Sequence, residues 1–263
     1  MSADLDYLDH LVRESQRFLD VLSDASPDAP VPTCPDWNAD DLLWHLAEVQ
    51  WFWGTIVREG LTGDEAEERK PARPAERAAL EAFFARSSSD LVNVLTATPP
   101  GTHAWTWSAD QSVGFIRRRQ AHEALIHRVD AELTTGQRTG MDPQLSADGV
   151  DEALRIMYGT PPWGSFTPDA DTSIRLRSTD TGDSWVVTLG RFTGTDPDTG
   201  TTYDEPDLHA DDVDAGGDPA ATVSGTAEDL DCWLWHRPTR APLERSGDPS
   251  VLERLEAIAA GIN

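Results

Sequence analysis

Apolar residues recur every three or four positions through most of the first 140 residues, the spacing of a helix with one buried face. Asn38 is placed to cap the second of these helices, and Gly136 is placed to end the fourth. Proline-rich or polar stretches separate the helices. The pattern predicts four long helices, over residues 4–23, 39–59, 75–97 and 111–135. Four helices of this length joined by loops indicate a helical bundle.

Beyond residue 141 the pattern changes to an alternation of apolar and polar residues, which is typical of half-buried strands. Ile174 and Leu176 alternate with arginines, and Trp185, Val187 and Leu189 follow an Asp-Thr-Gly-Asp turn. These two segments predict an antiparallel hairpin. The other predicted elements are a helix over 146–158, strands near 207–210 and 221–224, and helices over 227–235 and 249–260.

The patterns together predict an α+β chain of two domains, a four-helix bundle over 1–140 and a small α+β domain with an antiparallel sheet over 141–263. A length of 263 residues suits two domains. The net charge of −26 repels phosphate backbones and offers nothing to anionic lipid. We therefore expect small-molecule partners, no nucleic acid and no membrane, for a chain that is a monomer or a dimer.

Cysteine usage and the first residues favour a cytoplasmic location. Cys34 and Cys232 lie far apart and give no disulfide framework, which fits a reducing compartment. The acidic N-terminus lacks the features of a signal peptide, and no window approaches 18 uninterrupted apolar residues. Cys34 lies in a Pro-rich turn, where a packed thiol, a nucleophile and an extra metal ligand all stay open.

Three residues are candidates for metal chemistry: His45 in the second helix, and Glu123 and His127 in the fourth. A spacing of four places Glu123 and His127 on one helical face, one turn apart. His45 shares an apolar stripe with Leu42, Val49, Phe52 and Ile56, so we expect it to point into the bundle. Two imidazoles and one carboxylate suit Zn²⁺, and also Ni²⁺, Co²⁺ or Fe²⁺, with positions left for water or substrate.

Each of these residues also has an ordinary structural interpretation. His45 alone would pass as a core histidine, and Glu123 with His127 as a solvated i,i+4 pair. The combination favours a metal, because burying an uncompensated carboxylate costs several kcal/mol. Asp130, near His127, either accepts a hydrogen bond from that ring or pairs with an arginine. His122 projects about 100° from Glu123 and is expected in the core, whereas the arginines at 117–119 are expected on the surface.

The residues around His45 resemble a known family. The run Val31-Pro-Thr-Cys-Pro-Asp-Trp37, followed by Asp41-Leu42 and His45-Leu46, is similar to the N-terminal signature of the mycothiol-dependent maleylpyruvate isomerase family. That family belongs to the DinB-like metal-binding four-helix bundles. Residues 223–237 resemble its smaller, sterol-carrier-like α+β domain, although His236 stands where the family commonly has Gly.

The resemblance implies that His45, Glu123 and His127 bind a divalent metal, usually zinc. It further implies that the metal activates mycothiol, a small thiol whose thiolate adds to a cis double bond before elimination returns the trans isomer. Transfer of the thiol to an electrophile would need the same thiolate. Arg237 is a candidate anchor for the substrate or the thiol. A non-catalytic metal- or ligand-binding module is the alternative, and a helical scaffold without metal is a third possibility.

Overall fold

The computed structural model describes residues 5–210 and 218–260, which divide between Gly140 and Met141 into two compact units. Within these ranges, no helix is both long enough and apolar enough to cross a membrane. The first unit is helical. Its elements are α1 (Tyr7–Ser23), α2 (Ala39–Glu59), α3 (Gly63–Glu67), α4 (Arg77–Ala97) and α5 (Val113–Thr135).

The four long helices of the first unit form the predicted bundle. α1 packs against α4 and α5, and α2 packs against the same two helices. The side chains between them include Phe18, Leu42, Leu46 and Phe84, each at most 1% exposed. Each helix has a single apolar face, so it becomes stable only when its neighbours cover that face.

Capping residues set the ends of the two helices that carry the candidate site. Asn38 and Asp41 form a reciprocal capping box at the start of α2, and Ser112 accepts from the amide of Phe115 at the start of α5. Gly136 ends α5 with a φ of 70°, which glycine adopts without steric cost. The predicted ends are confirmed here, whereas α3 occupies part of a stretch predicted as linker.

The second unit combines helices with a five-stranded sheet. It opens with α6 (Pro143–Glu152), which continues as one π-helical turn over Ala153–Met157, so the helix predicted over 146–158 is interrupted. The remaining elements are β1 (Gly164–Ser178), β2 (Ser184–Thr195), β3 (Thr202–Ala210), β4 (Ala221–Gly225), α7 (Ala227–Leu234), β5 (Glu244–Gly247) and α8 (Pro249–Ala260). The sequence patterns did not predict the short strand β5.

The sheet has the strand order β3-β2-β1-β4-β5. The predicted hairpin is confirmed, with Ile174 opposite Val187 and Leu176 opposite Trp185. β4, however, pairs with β1 in parallel, so the sheet is mixed and the prediction of an antiparallel sheet is wrong in this pair. Apolar alternation shows which face of a strand is buried, but it carries no information on the direction of a partner that arrives through a long connection.

Candidate metal centre

The side chains of His45, Glu123 and His127 converge in the helical unit. His45 Nε2 lies 3.3 Å from Glu123 Oε1, and His127 Nε2 lies 3.2 Å from the same oxygen. Ligand atoms of the three residues all lie within 4.8 Å of one another. The packing of α2 against α5 thus brings His45 next to a carboxylate 78 positions away in the chain.

The spacing of these atoms suits a divalent metal ion. Two ligands held about 2.0–2.1 Å from a tetrahedral zinc ion lie about 3.3–3.4 Å from each other. The separations of Glu123 Oε1 from the two imidazole nitrogens are close to that value. Two His and one Glu are also a ligand set of catalytic zinc sites, which keep a fourth position for water or substrate. The residues present therefore fit such an ion.

His45 lies at the margin of the bundle core. Its side chain is 28% exposed, and Val49 and Phe52 on the same face of α2 are only partly buried. The expectation that this stripe points into the core is confirmed at its two ends, where Leu42 and Ile56 are fully buried. It is met only in part between them, where His45, Val49 and Phe52 keep some exposure to solvent. Apolar residues beside a partly open site look the same in the sequence as core residues. The position leaves His45 within reach of a ligand from solvent.

A completely buried carboxylate lies behind His127. Asp130 Oδ2 is 3.0 Å from His127 Nδ1, and the hydroxyl of Thr33 donates to Asp130 Oδ1 at 2.6 Å. A histidine that donates through Nδ1 keeps its lone pair on Nε2, which here is the nitrogen that faces Glu123. The sequence left open whether Asp130 contacts the ring of His127 or pairs with an arginine. The structure contains the contact with the ring.

The Pro-rich loop before α2 contacts the site at two places. The ring of Trp37 packs against the ring of His45 with centroids 4.9 Å apart, and Thr33 reaches His127 through Asp130. Sequence spacing assigns no role to Thr33 or Trp37, although both belong to the run that carries the family resemblance. The thiol residue of this loop, Cys34, is partly buried and packs against the bundle core.

Arg119 also contacts the site, and here the prediction of a surface position is wrong. The residue is 4% exposed, and its guanidinium donates to Glu123 Oε2 at 2.9 Å. Its neighbour Arg117 donates instead to the carbonyls of Leu95 and Thr98 at the end of α4. The sequence contained one indication of this contact, which is the spacing of four between Arg119 and Glu123. The predicted core position of His122, by contrast, is correct, since that residue is 1% exposed.

The charges around Glu123 keep it ionised. Burial by itself would raise its pKa, but the charge and hydrogen bonds of His127, the hydrogen bond of His45 and the charge of Arg119 hold the pKa well below the ordinary value. Burial would likewise lower the pKa of His127, but Glu123 and Asp130 raise it to about 9 without a metal. A metal ion would replace this proton, because imidazole binds metals only in its neutral form.

Protein-family models match both units of the chain. The model for the mycothiol maleylpyruvate isomerase N-terminal domain matches residues 8–132, and the model for the corresponding C-terminal domain matches residues 144–254. The chain belongs to the mycothiol-dependent maleylpyruvate isomerase family. The resemblance drawn from the signature run and from residues 223–237 is confirmed.

Two solved structures share the fold of this family member. One is the crystal structure of the mycothiol-dependent maleylpyruvate isomerase, which matches over 92% of each chain with a TM-score of 0.58 and 13% identity. The other is a histidine-to-alanine mutant of the mycothiol-dependent maleylpyruvate isomerase, with 87% of each chain covered, a TM-score of 0.56 and 12% identity. A search of curated proteins gives no significant match. At these identities the two structures show the fold alone.

Arg237, the candidate anchor in the second unit, lies three residues beyond Leu234, the last residue of α7. The amide of Arg237 donates to the carbonyl of Cys232 and the amide of His236 to that of Trp233, the paired bonds of a Schellman motif. His236 has a φ of 58°, the conformation that glycine adopts most easily. The departure from the family's common Gly is therefore compatible with the expected path of the chain. The guanidinium of Arg237 donates to the carbonyl of Trp235, and its role toward a substrate stays a prediction.

Proposed function

We propose that this member of the mycothiol-dependent maleylpyruvate isomerase family is a divalent-metal enzyme that uses mycothiol to isomerise a cis acid resembling maleylpyruvate. The observation that carries the proposal is the convergence of His45, Glu123 and His127 at separations that suit zinc. A bound zinc ion would supply Lewis acidity, which lowers the pKa of a coordinated thiol so that the thiolate forms near neutral pH.

The residues around the centre orient the ligands and admit the substrate. Asp130 accepts from Nδ1 of His127, and Thr33 holds Asp130 in place. The indole of Trp37 restricts the rotation of the His45 ring against which it packs. The side chains of His45 and Glu123 stay 28% and 19% exposed, so a thiol can approach them from solvent.

The proposed isomerisation needs no oxidant or reductant. The sulfur of the thiolate forms a bond to one carbon of the cis double bond, and the carbon–carbon bond becomes single and rotates. Breaking the same carbon–sulfur bond restores the double bond in the trans form and returns the thiol unchanged. In S-transfer to an electrophile, by contrast, the carbon–sulfur bond stays and each turnover consumes one thiol.

The test is turnover of maleylpyruvate by zinc-loaded protein with and without mycothiol. We expect the trans product only when the thiol is present, with activity near background in Glu123→Gln. His103→Ala, which replaces an exposed histidine of the same unit, is the control and should keep full activity. Titration of free thiol at the end of the reaction separates isomerisation from S-transfer, because only transfer lowers the thiol concentration.

One result would favour the non-catalytic alternative. Protein that binds one zinc ion per chain but shows no thiol-dependent turnover, with either the cis acid or an electrophile, would be a metal- or small-ligand-binding module. The proposal of an enzyme would then be abandoned, while the proposal of a metal centre would remain.

A further inference from the structure

The burial of Arg119 needs an explanation beyond the stability of α5. Removing a guanidinium from water costs several kcal/mol unless a partner compensates the charge. Arg119 is only 4% exposed and pairs with Glu123, four positions later. An i,i+4 ion pair stabilises a helix less when the basic residue comes before the acidic one than in the reverse order. Helix stability alone therefore gives little reason for this pair.

The two carboxylate oxygens of Glu123 have different partners. Oε1 lies 3.3 Å from His45 Nε2 and 3.2 Å from His127 Nε2, whereas Oε2 accepts from the guanidinium of Arg119 at 2.9 Å. An oxygen in a charge-assisted hydrogen bond of this length is not free to turn toward the histidines. Only Oε1 is therefore presented to an ion held between the two rings.

Arg119 also changes the charge of the site. Its guanidinium places a positive charge beside the carboxylate that would bind the ion. A positive charge close to a metal favours an anionic further ligand such as a thiolate over a neutral one. This charge agrees with an open position for an anion.

We propose that Arg119 is a positioning residue of the metal centre, which holds Oε2 of Glu123 so that this carboxylate binds the metal through Oε1 alone. The position that a second carboxylate oxygen would occupy then stays open for the thiol. The inference rests on the proposed metal centre but not on the identity of the substrate.

Cobalt(II) in place of zinc gives the test a readout that is independent of activity. A thiol that binds cobalt(II) through its sulfur gives a thiolate-to-cobalt charge-transfer band in the near ultraviolet, so this band reports whether a position on the ion is open to a thiol. The variants are Arg119→Met, which keeps a long side chain but removes the charge, and Arg119→Lys, which keeps the charge. Arg117→Met, from the same run of arginines, is the matched control, since Arg117 binds carbonyls at the end of α4.

With a small thiol added, we expect wild type, Arg117→Met and Arg119→Lys to share one intense charge-transfer spectrum. The band of Arg119→Met should be several-fold weaker at full cobalt occupancy, because the second oxygen of Glu123 then occupies the position of the thiol. Circular dichroism and the metal-free Tm establish that each variant is folded. Equal band intensities in Arg119→Met and wild type would overturn the proposal.

The other outcomes are also decisive. If folded Arg119→Met loses cobalt, retention by Arg119→Lys supports the positioning role, whereas equal loss in Arg117→Met overturns it. If Arg119→Met does not fold, the lysine variant decides, and a spectrum weaker than that of wild type overturns the proposal. Wild-type protein that binds no cobalt would instead overturn the metal centre itself, which is a different failure.

Discussion

At the scale of single residues, Asp130 determines how His127 can act. Its buried carboxylate accepts from Nδ1 of the ring and from the hydroxyl of Thr33, so both oxygens have a hydrogen-bond partner. A carboxylate that accepts from Nδ1 raises the basicity of the imidazole and fixes the nitrogen that faces Glu123.

Asp130→Asn should weaken zinc binding by about 10- to 100-fold, the usual cost of losing such a supporting partner. Thr33→Val should have a smaller effect, because it removes only the bond to the carboxylate of Asp130. Thr134→Val is the matched control, since the hydroxyl of Thr134 binds the backbone carbonyl of Asp130. Competition with a chromophoric chelator measures the affinities, and an unchanged zinc affinity in Asp130→Asn would contradict this role.

The sequence predicts some of these residues and not others, for physical reasons. Glu123 and His127 are found by spacing because one turn of a helix brings positions four apart together. Thr33 lies 97 positions from Asp130, so only the packed bundle brings them into contact. Arg119 has the right spacing, but in a run of three arginines the pattern alone does not show which one points inward.

At the scale of helices, α1 and α5 are joined by a buried network of charges. Arg128 donates to Glu14 at 2.8 Å and to Glu132 at 3.0 Å, and Arg17 of α1 donates to Glu132 at 2.8 Å. Burial would raise the pKa of Glu132, but hydrogen bonds from Thr139 and Arg17 and the charge of Arg128 lower it. The network therefore depends on an ionised Glu132.

Glu132→Gln should lower the free energy of unfolding by about 3–5 kcal/mol at neutral pH, because it leaves the buried Arg128 without its full counter-charge. A carboxyl group with a lowered folded pKa stabilises the protein above its unfolded value, 4.5, and this stability is lost as the pH falls through the folded pKa. The difference between variant and wild type should therefore shrink in acid.

Denaturant unfolding between pH 7 and pH 3 measures this difference. Glu67→Gln, at an exposed carboxylate paired with Lys70, is the control and should cost less than about 1 kcal/mol at any pH. A difference between Glu132→Gln and wild type that stays constant down to pH 3 would show that the ionisation of Glu132 does not stabilise the fold.

Helices were easier to predict than strands because their ends are set by nearby residues. Asn38 and Gly136 mark their helix ends through contacts within a few positions. The parallel pairing of β4 with β1 joins strands more than 40 positions apart, here Ile174 and Ala221. Such a pairing depends on the packed domain, so period-two alternation does not reveal it.

At the scale of the whole molecule, the division between Gly140 and Met141 suggests separate folding units. We propose that residues 1–140 and 141–263 are two domains, and that the candidate metal ligands belong to the first. A ligand that binds only the native state stabilises it by about 2.7 kcal/mol at a free concentration of 100 times Kd. Zinc should therefore stabilise the helical domain and leave the α+β domain unaffected.

Scanning calorimetry with zinc and with a chelator examines this proposal. Zinc should raise the Tm of one transition while a second transition stays in place. The Asp130→Asn variant should need a higher zinc concentration for the same increase in Tm. A single transition, or two that zinc shifts equally, would contradict two independently folding domains.

The most direct test of the metal centre is the zinc content of protein loaded with zinc and then desalted. We expect one zinc ion per chain in wild type and in the control His103→Ala, and almost none in His45→Ala, Glu123→Gln and His127→Ala. Circular dichroism should show that every variant is folded. Equal zinc content in wild type and His45→Ala, whether high or low, would contradict a metal centre built from His45, Glu123 and His127.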